Sequence, residues 1–354
     1  MVDVIALVIL FLFLGGLLFL ANMADAQREN GESGRGWAAA CYAVLALIYV
    51  VSLFGGALVW IGVAAMKANP DLAKQVLNSS QVNPLEAMEN PALFGLGLAV
   101  PSFFGLLLLL PPIRRLFSFF TNIDPRSSVH ALSLSLSMLV IIQIVVLLGM
   151  GMGNLAEAAS QTNSSAGSQL ITLWVQQLCT AALGFVGVGF LVRRNWSETL
   201  ERLGLVIPTF RQVSLAIGAA FVLVIVVIVV GAISDQTGFG VDKDVEKLTE
   251  QLMGALFESP WGILTAGLSA ALGEEILIRG ALQPRFGILL ATIVFALLHS
   301  QYGLSLSTLI VFIVGLILGI IRQRENTSTS MIVHALYNMT LSTLTYLGVN
   351  FLNQ

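Results

Sequence analysis

The run Gln212–Ile233, QVSLAIGAAFVLVIVVIVVGAI, holds 22 residues without one ionisable side chain. At ~1.5 Å of rise per residue, a helix of that length covers about 30 Å, the thickness of the hydrocarbon core of a bilayer. The composition extends this reading to the whole chain. Of 354 residues, 56% are hydrophobic and only 10% are charged, whereas an ordinary soluble domain carries about 25% charged residues. Too few charges remain to clothe a water-exposed surface, which excludes a soluble enzyme, a disordered chain and a disulfide-stapled secreted module. A net charge of -3 excludes a basic nucleic-acid binder, because phosphate neutralisation needs clustered Lys and Arg. The fold class is therefore all-α, in a polytopic integral membrane protein.

Hydropathy marks ten candidate spans, near 3–22, 38–63, 93–111, 130–152, 170–192, 212–233, 261–283, 286–300, 305–321 and 331–350. Ala24-Asp25-Ala26 imitates a signal-peptide cleavage site, but the preceding run is too long and starts without a positive charge. The first span is expected to be a retained helix. With the N-terminus outside, the inner segments hold 12 arginines and the outer segments four lysines, Lys67, Lys74, Lys243 and Lys247. That bias supports ten spans with both termini outside.

The loop at 67–92 is polar and contains Pro70, Pro84 and Pro91, and residues 154–169 (NLAEAASQTNSSAGSQ) read as a flexible linker. The linker divides an N-terminal four-helix region, 1–165, from a C-terminal six-helix region, 166–354. Between spans five and six, Asn195 and Glu198 form a capping-box pattern, and Gly204 followed by Pro208 ends the segment. An interfacial helix is expected there. The loop at 234–260 carries six acids against two lysines and reads as a solvated outer loop. Cys41 and Cys179 lie within apolar runs and read as packing residues.

Ionisable side chains inside spans are costly and by default mark function. They concentrate in the last spans: Glu274, Glu275 and Arg279 in SAALGEEILIRG, His299 in ATIVFALLHS, and His334 with Asn338 in MIVHALYNMT. The third histidine, His130, stands at a span edge and reads as structural. Glu275 and Arg279 are four apart and suited to an ion pair. Glu274 lies ~100° further round the helix. Phe295 and His299, like His334 and Asn338, repeat the four-residue spacing. A carboxylate in an apolar site can take a proton from water, an imidazole can pass it to a leaving amine, and imidazole and amide N–H groups can stabilise an oxyanion. The set suits amide hydrolysis with water as nucleophile. The bland alternative is a polar network that glues helices together.

Glu274-Glu275-Ile276-Leu277-Ile278-Arg279 resembles the EExxxR motif of the CPBP intramembrane proteases, the family of the type II CAAX prenyl endopeptidases and of bacteriocin-processing or immunity proteins. Phe295–His299 is similar to its FxxxH motif and His334–Asn338 to its HxxxN motif, in the family's order. The resemblance covers about 260–345. It implies that Glu274 with His299 activates water, that His334 with Asn338 forms the oxyanion hole, and that Glu275, Arg279 and Phe295 support them. No HExxH occurs and no cofactor is expected, although Glu274, His299 and His334 could ligate zinc. One tension follows from the span count. Simple alternation puts His299 at the outer end of span eight and His334 near the inner end of span ten, so they meet only if spans eight and nine are short, tilted or re-entrant.

The expectation is an intramembrane endopeptidase in a plasma membrane, acting on a membrane-associated peptide that is CAAX-like or a leader. The rivals are a non-proteolytic immunity or scaffold factor and a proton-coupled transporter. No inverted repeat favours the transporter. Two glycine patterns read as close helix packing rather than chemistry: Gly267-Leu268-Ser269-Ala270, and the GxxxG of Gly315 and Gly319.

Overall fold

Every regular element among the described residues is helical, as an unshielded backbone in lipid requires. A computed structural model describes residues 2–69, 71, 88–161, 165–240 and 242–348. Most of the polar loop at 67–92, including Pro70, Lys74 and Pro84, lies outside the described residues, as do residues 162–164 of the expected linker. The long N-terminal helices are α1 (Val2–Glu29), α2 (Arg35–Ala68), α3 (Pro91–Leu108) and α5 (Ser128–Met150), with the short α4 (Pro111–Ser118) between the last two. The short α6 (Met152–Ser160) leads to α7 (Ala166–Gly187), α8 (Trp196–Leu203), α9 (Phe210–Thr237) and α10 (Lys243–Met253). The C-terminal elements are α11 (Pro260–Glu274), a π-helical segment (Glu275–Leu282), α12 (Gln283–Leu298), α13 (Leu306–Arg324) and α14 (Thr327–Leu347).

Among the described residues, eight helical runs are long and apolar enough to cross a membrane. Two features separate this number from the ten spans that hydropathy marks. The spans expected at 261–283 and 286–300 form one helical run, Pro260–Leu298. The last helix, α14, is long but begins with TSTS and carries His334 and Asn338, which lowers its apolarity. The first run is not straight. A straight helix would separate Glu274 from His299 by ~37 Å, yet their side chains come within 3.9 Å of each other. The chain folds back between them, and Gly287, with φ 77° and ψ 169°, is the non-helical residue where it does so. A positive φ of this kind favours glycine. The 288–298 arm then rises only ~16 Å, about half the ~30 Å of hydrocarbon, and returns His299 to the depth of Glu274. The tension over the two histidines is resolved by this half-length arm.

Three other expectations are modified. Much of the linker at 154–169 is ordered as α6, whose Met152 and Ala156 are buried with Val245 and Leu248 of α10. The acidic loop at 234–260 accordingly contains a helix with a buried apolar stripe rather than a wholly solvated chain. The capping box appears as expected: Asn195 accepts from the Glu198 N–H, Glu198 returns the bond to the Asn195 N–H, and Gly204 closes α8 with φ 71°. Cys41 is buried and donates to the Leu17 carbonyl at 3.4 Å, and both cysteines are free thiols.

The N-terminal helices are joined to the C-terminal ones by polar contacts. Asn22 of α1 donates to the Val186 carbonyl of α7 at 2.9 Å. Asp25, 1% exposed, accepts from the Ser127 hydroxyl and the Ser128 N–H at the start of α5, and lies 3.3 Å from Arg193. A carboxylate at a helix N-terminus answers its unsatisfied N–H groups and its dipole. Gln143 of α5 donates to Ser300 at 3.0 Å.

Candidate active site

Glu274 ends α11, and the next residue begins the π-helical segment. Such segments shift the side-chain register and recur at functional sites. Glu275 and Arg279 are wholly buried and 3.5 Å apart, as their spacing predicts. The guanidinium also lies over the Phe295 ring, 4.9 Å from its centroid, a favourable cation–π arrangement. Glu275 does more than hold Arg279. Its Oε1 is 3.0 Å from His334 Nδ1, and its Oε2 accepts from the Ser330 hydroxyl at 2.6 Å. A carboxylate bonded to one ring nitrogen orients the imidazole and directs the other nitrogen elsewhere.

That other nitrogen, His334 Nε2, lies 4.0 Å from Glu274 Oε2, and His299 Nε2 lies 3.9 Å from the same oxygen. His299 Nδ1 is 2.9 Å from the Phe295 carbonyl. A carbonyl only accepts, so Nδ1 carries the proton and Nε2 of the neutral ring presents its lone pair. The Phe295 and Tyr302 rings flank the His299 ring, at centroid distances of 4.9 and 6.1 Å. Glu274 Oε1 accepts from the Gln177 amide of α7 at 2.9 Å. Glu274 Oε2 is buried and accepts no hydrogen bond from the described residues, a costly state unless another donor enters.

These groups line a cavity of about 350 Å³. Glu274, His299, His334, Asn338 and Phe295 all border it, so three helices, α11, α12 and α14, deliver the expected set to one place. Asn338 Nδ2 donates one bond, 3.0 Å, to the Ala266 carbonyl of α11, which leaves a second N–H on that amide. Leu173, Phe257 and Leu341 supply apolar wall. His130 stands apart, accepting the Asp124 N–H at 2.9 Å, in keeping with its structural reading. Zinc would require Glu274, His299 and His334 to converge on one point at ~2.0–2.2 Å. Among the described residues no group of three His, Cys, Asp or Glu is arranged to hold a metal ion.

Sequence reasoning missed three contributors. Gln177 sits in the span at 170–192, where an intramembrane polar residue is itself a signal. Ser330 precedes His334 by four residues, the same spacing used for the other pairs. Tyr302 lies just beyond a span end, where nothing in its surroundings distinguishes it.

Fold and site together define a polytopic, all-helical membrane protein with a carboxylate and two imidazoles facing a cavity among its helices. Residues 256–340 match the family model of the Rce1-like type II CAAX prenyl endopeptidases, in agreement with the motif resemblance. The C-terminal part of the chain thus carries an Rce1-like domain, which supports an intramembrane CAAX-type protease in general terms. No curated protein and no solved structure matches the chain.

Proposed function

We propose that the protein is a glutamate-dependent intramembrane endopeptidase that hydrolyses a peptide bond of a membrane-associated substrate. One observation carries the reading: Glu274 Oε2 is buried, receives no hydrogen bond from the described residues, and faces both histidine Nε2 atoms at 3.9 and 4.0 Å. Those separations exceed hydrogen-bond length and suit a water that bridges the groups. Glu274, aided by His299, takes a proton from that water as its oxygen bonds to the substrate carbonyl carbon. The carbonyl oxygen becomes an oxyanion, stabilised by the Nε2–H of a His334 imidazolium whose Nδ1–H is held by Glu275, and by the second amide N–H of Asn338. The proton then passes through Glu274 and His299 to the amide nitrogen as the C–N bond breaks. The apolar cavity wall suits an extended, apolar peptide segment, CAAX-like or from a leader.

The test is cleavage of a quenched fluorescent membrane-peptide library by the purified full chain in liposomes, with and without a chelator. Glu274→Gln is expected to lower kcat by about 10²- to 10⁴-fold, the usual contribution of a general base, while the wild type keeps its activity in chelator. A full rate in Glu274→Gln overturns the mechanism, and loss of wild-type activity in chelator transfers water activation to a metal.

A further inference from the structure

A second pocket, of about 60 Å³, opens between α1, α5, α7, α8 and the π segment, and four arginines line it: Arg193, Arg194, Arg202 and Arg285. No carboxylate is among its lining residues. Arg193 is matched by Asp25 at 3.3 Å and Glu29 at 3.4 Å. The other three have no carboxylate within ion-pair distance among the described residues, although Glu29 and Glu198 lie near enough to Arg194 to offset part of its charge. Arg202 donates to the Gly280 and Ala281 carbonyls at 3.1 and 3.4 Å, and Arg194 donates to the Val188 carbonyl. Carbonyls orient a guanidinium but do not neutralise it. The Arg285 guanidinium has no hydrogen bond or ion pair among the described residues. Burial, and then the neighbouring cations Arg285, Arg194, Arg322 and Arg193, push Arg202 down to about 10. Burial, with Arg193 and Arg285, lowers Arg194 despite the nearby carboxylates of Glu29 and Glu198. The cluster is short of negative charge.

We propose that this pocket binds a phosphate-bearing anion, presented by an anionic phospholipid headgroup or arriving as free phosphate. Guanidinium forks match phosphate oxygens in geometry and charge. The volume is several times the ~10–15 Å³ that one water needs. Leu18, Leu183 and Leu282 form apolar walls beside the cationic end, the combination seen where basic pockets between membrane helices hold lipid headgroups. The arginine bias of the sequence puts this face on the inner side, where anionic lipids concentrate. A purely topogenic role for these arginines requires no pocket and no stoichiometric ligand. The occupant would touch the strand of chain that holds the catalytic carboxylate, since Glu274 borders the cavity while Leu277, Ala281 and Arg285 border the pocket.

The experiment uses the full chain, purified in neutral detergent and depleted of lipid, with binding read by native mass spectrometry and by melting temperature. Phosphatidylglycerol, phosphatidylcholine and inorganic phosphate are added separately. Neither readout uses proteolysis, so the outcome is independent of the activity proposed above. Phosphatidylglycerol is expected to be retained at one per chain and to raise the melting temperature, with phosphatidylcholine inert. Arg285→Gln should weaken that affinity about fivefold, the weight of one cationic side chain at an anionic lipid surface. Arg285→Lys should retain most of it, and Arg324→Gln, at an exposed site away from the pocket, should change nothing. Inert phosphate assigns the site to a headgroup; phosphate that displaces the lipid assigns it to the oxyanion itself. Equal retention of the two lipids, no retained anion, or unchanged affinity in Arg285→Gln overturns the proposal.

Discussion

At the scale of single residues, polar atoms are arranged so that each acidic group faces one task. Glu275 is surrounded by Arg279, His334 and Ser330 and is fully engaged. Glu274 is tethered at one oxygen by Gln177 and leaves the other toward the cavity. In the proposed mechanism Gln177 is a positioning residue. Gln177→Leu is expected to lower kcat by about 10- to 100-fold, because a small misplacement of a reacting group carries a loss of that order. KM should stay near its wild-type value, which steady-state kinetics separates from a general loss of fold. Equal change in both constants would remove Gln177 from this role. Its polarity in an apolar span was visible in the sequence, but its partner was not, since 97 residues separate it from Glu274.

At the scale of elements, the GxxxG of α13 has a purpose that spacing alone leaves open. A Cβ on Gly315 would meet the Phe295 ring at 2.7 Å and Arg279 at 3.3 Å, and one on Gly319 would meet Ile288 at 3.0 Å. The glycines make room for the Arg279–Phe295 pair behind the site. Gly315→Ala should force Phe295 aside at a cost of about 1–3 kcal/mol, as overpacking does, and lower the melting temperature in detergent. Gly62→Ala, on a helix where a Cβ meets nothing within 4 Å, should be neutral or slightly stabilising. If the two variants melt alike, the packing argument fails. Gly267 of the GLSA sequence has the role expected of it, with an added Cβ 2.7 Å from the Ala335 carbonyl. The π segment, by contrast, had no signature in EILIRGAL, because its hydrogen-bond pattern depends on which neighbours the helix packs against.

At the scale of the molecule, the N-terminal helices are clasped to one another by charge. Arg28 of α1 pairs with Asp124, in the turn between α4 and α5, at 3.0 Å. Burial pushes the Asp124 carboxyl up, but the Arg126 N–H, the Arg28 hydrogen bond and nearby cations outweigh it, so the group ends below its ordinary range. A depressed carboxyl contributes stability that is present above its unfolded value, ~3.9, and is lost as pH falls through the folded one. Acidification from neutral to about pH 3 should therefore lower the melting temperature more in wild type than in Asp124→Asn. Identical acid sensitivity would show that the clasp is not linked to stability. Both partners are partly exposed, so the effect should shrink in high salt.

The sequence by itself determined that this protein is helical and lies in a membrane, because lipid admits only a backbone that satisfies its own hydrogen bonds. It also marked which residues to expect at a functional site, because charge in an apolar span is costly. It brought Glu275 to Arg279 and Phe295 to His299, pairs set by local helix geometry. Only the tertiary structure decided what meets across helices. The fold-back at Gly287 brings His299 to the depth of Glu274, α7 contributes Gln177, and α14 turns His334 so that one ring nitrogen is held by Glu275 and the other faces the cavity. The same distinction covers the arginines. Their bias to one side was legible as a sum along the chain, but their gathering around one pocket came from the packing of α1, α5, α7 and α8 against the π segment. Periodicity reports a helix's own faces, whereas the pairing of those faces is a property of the whole fold.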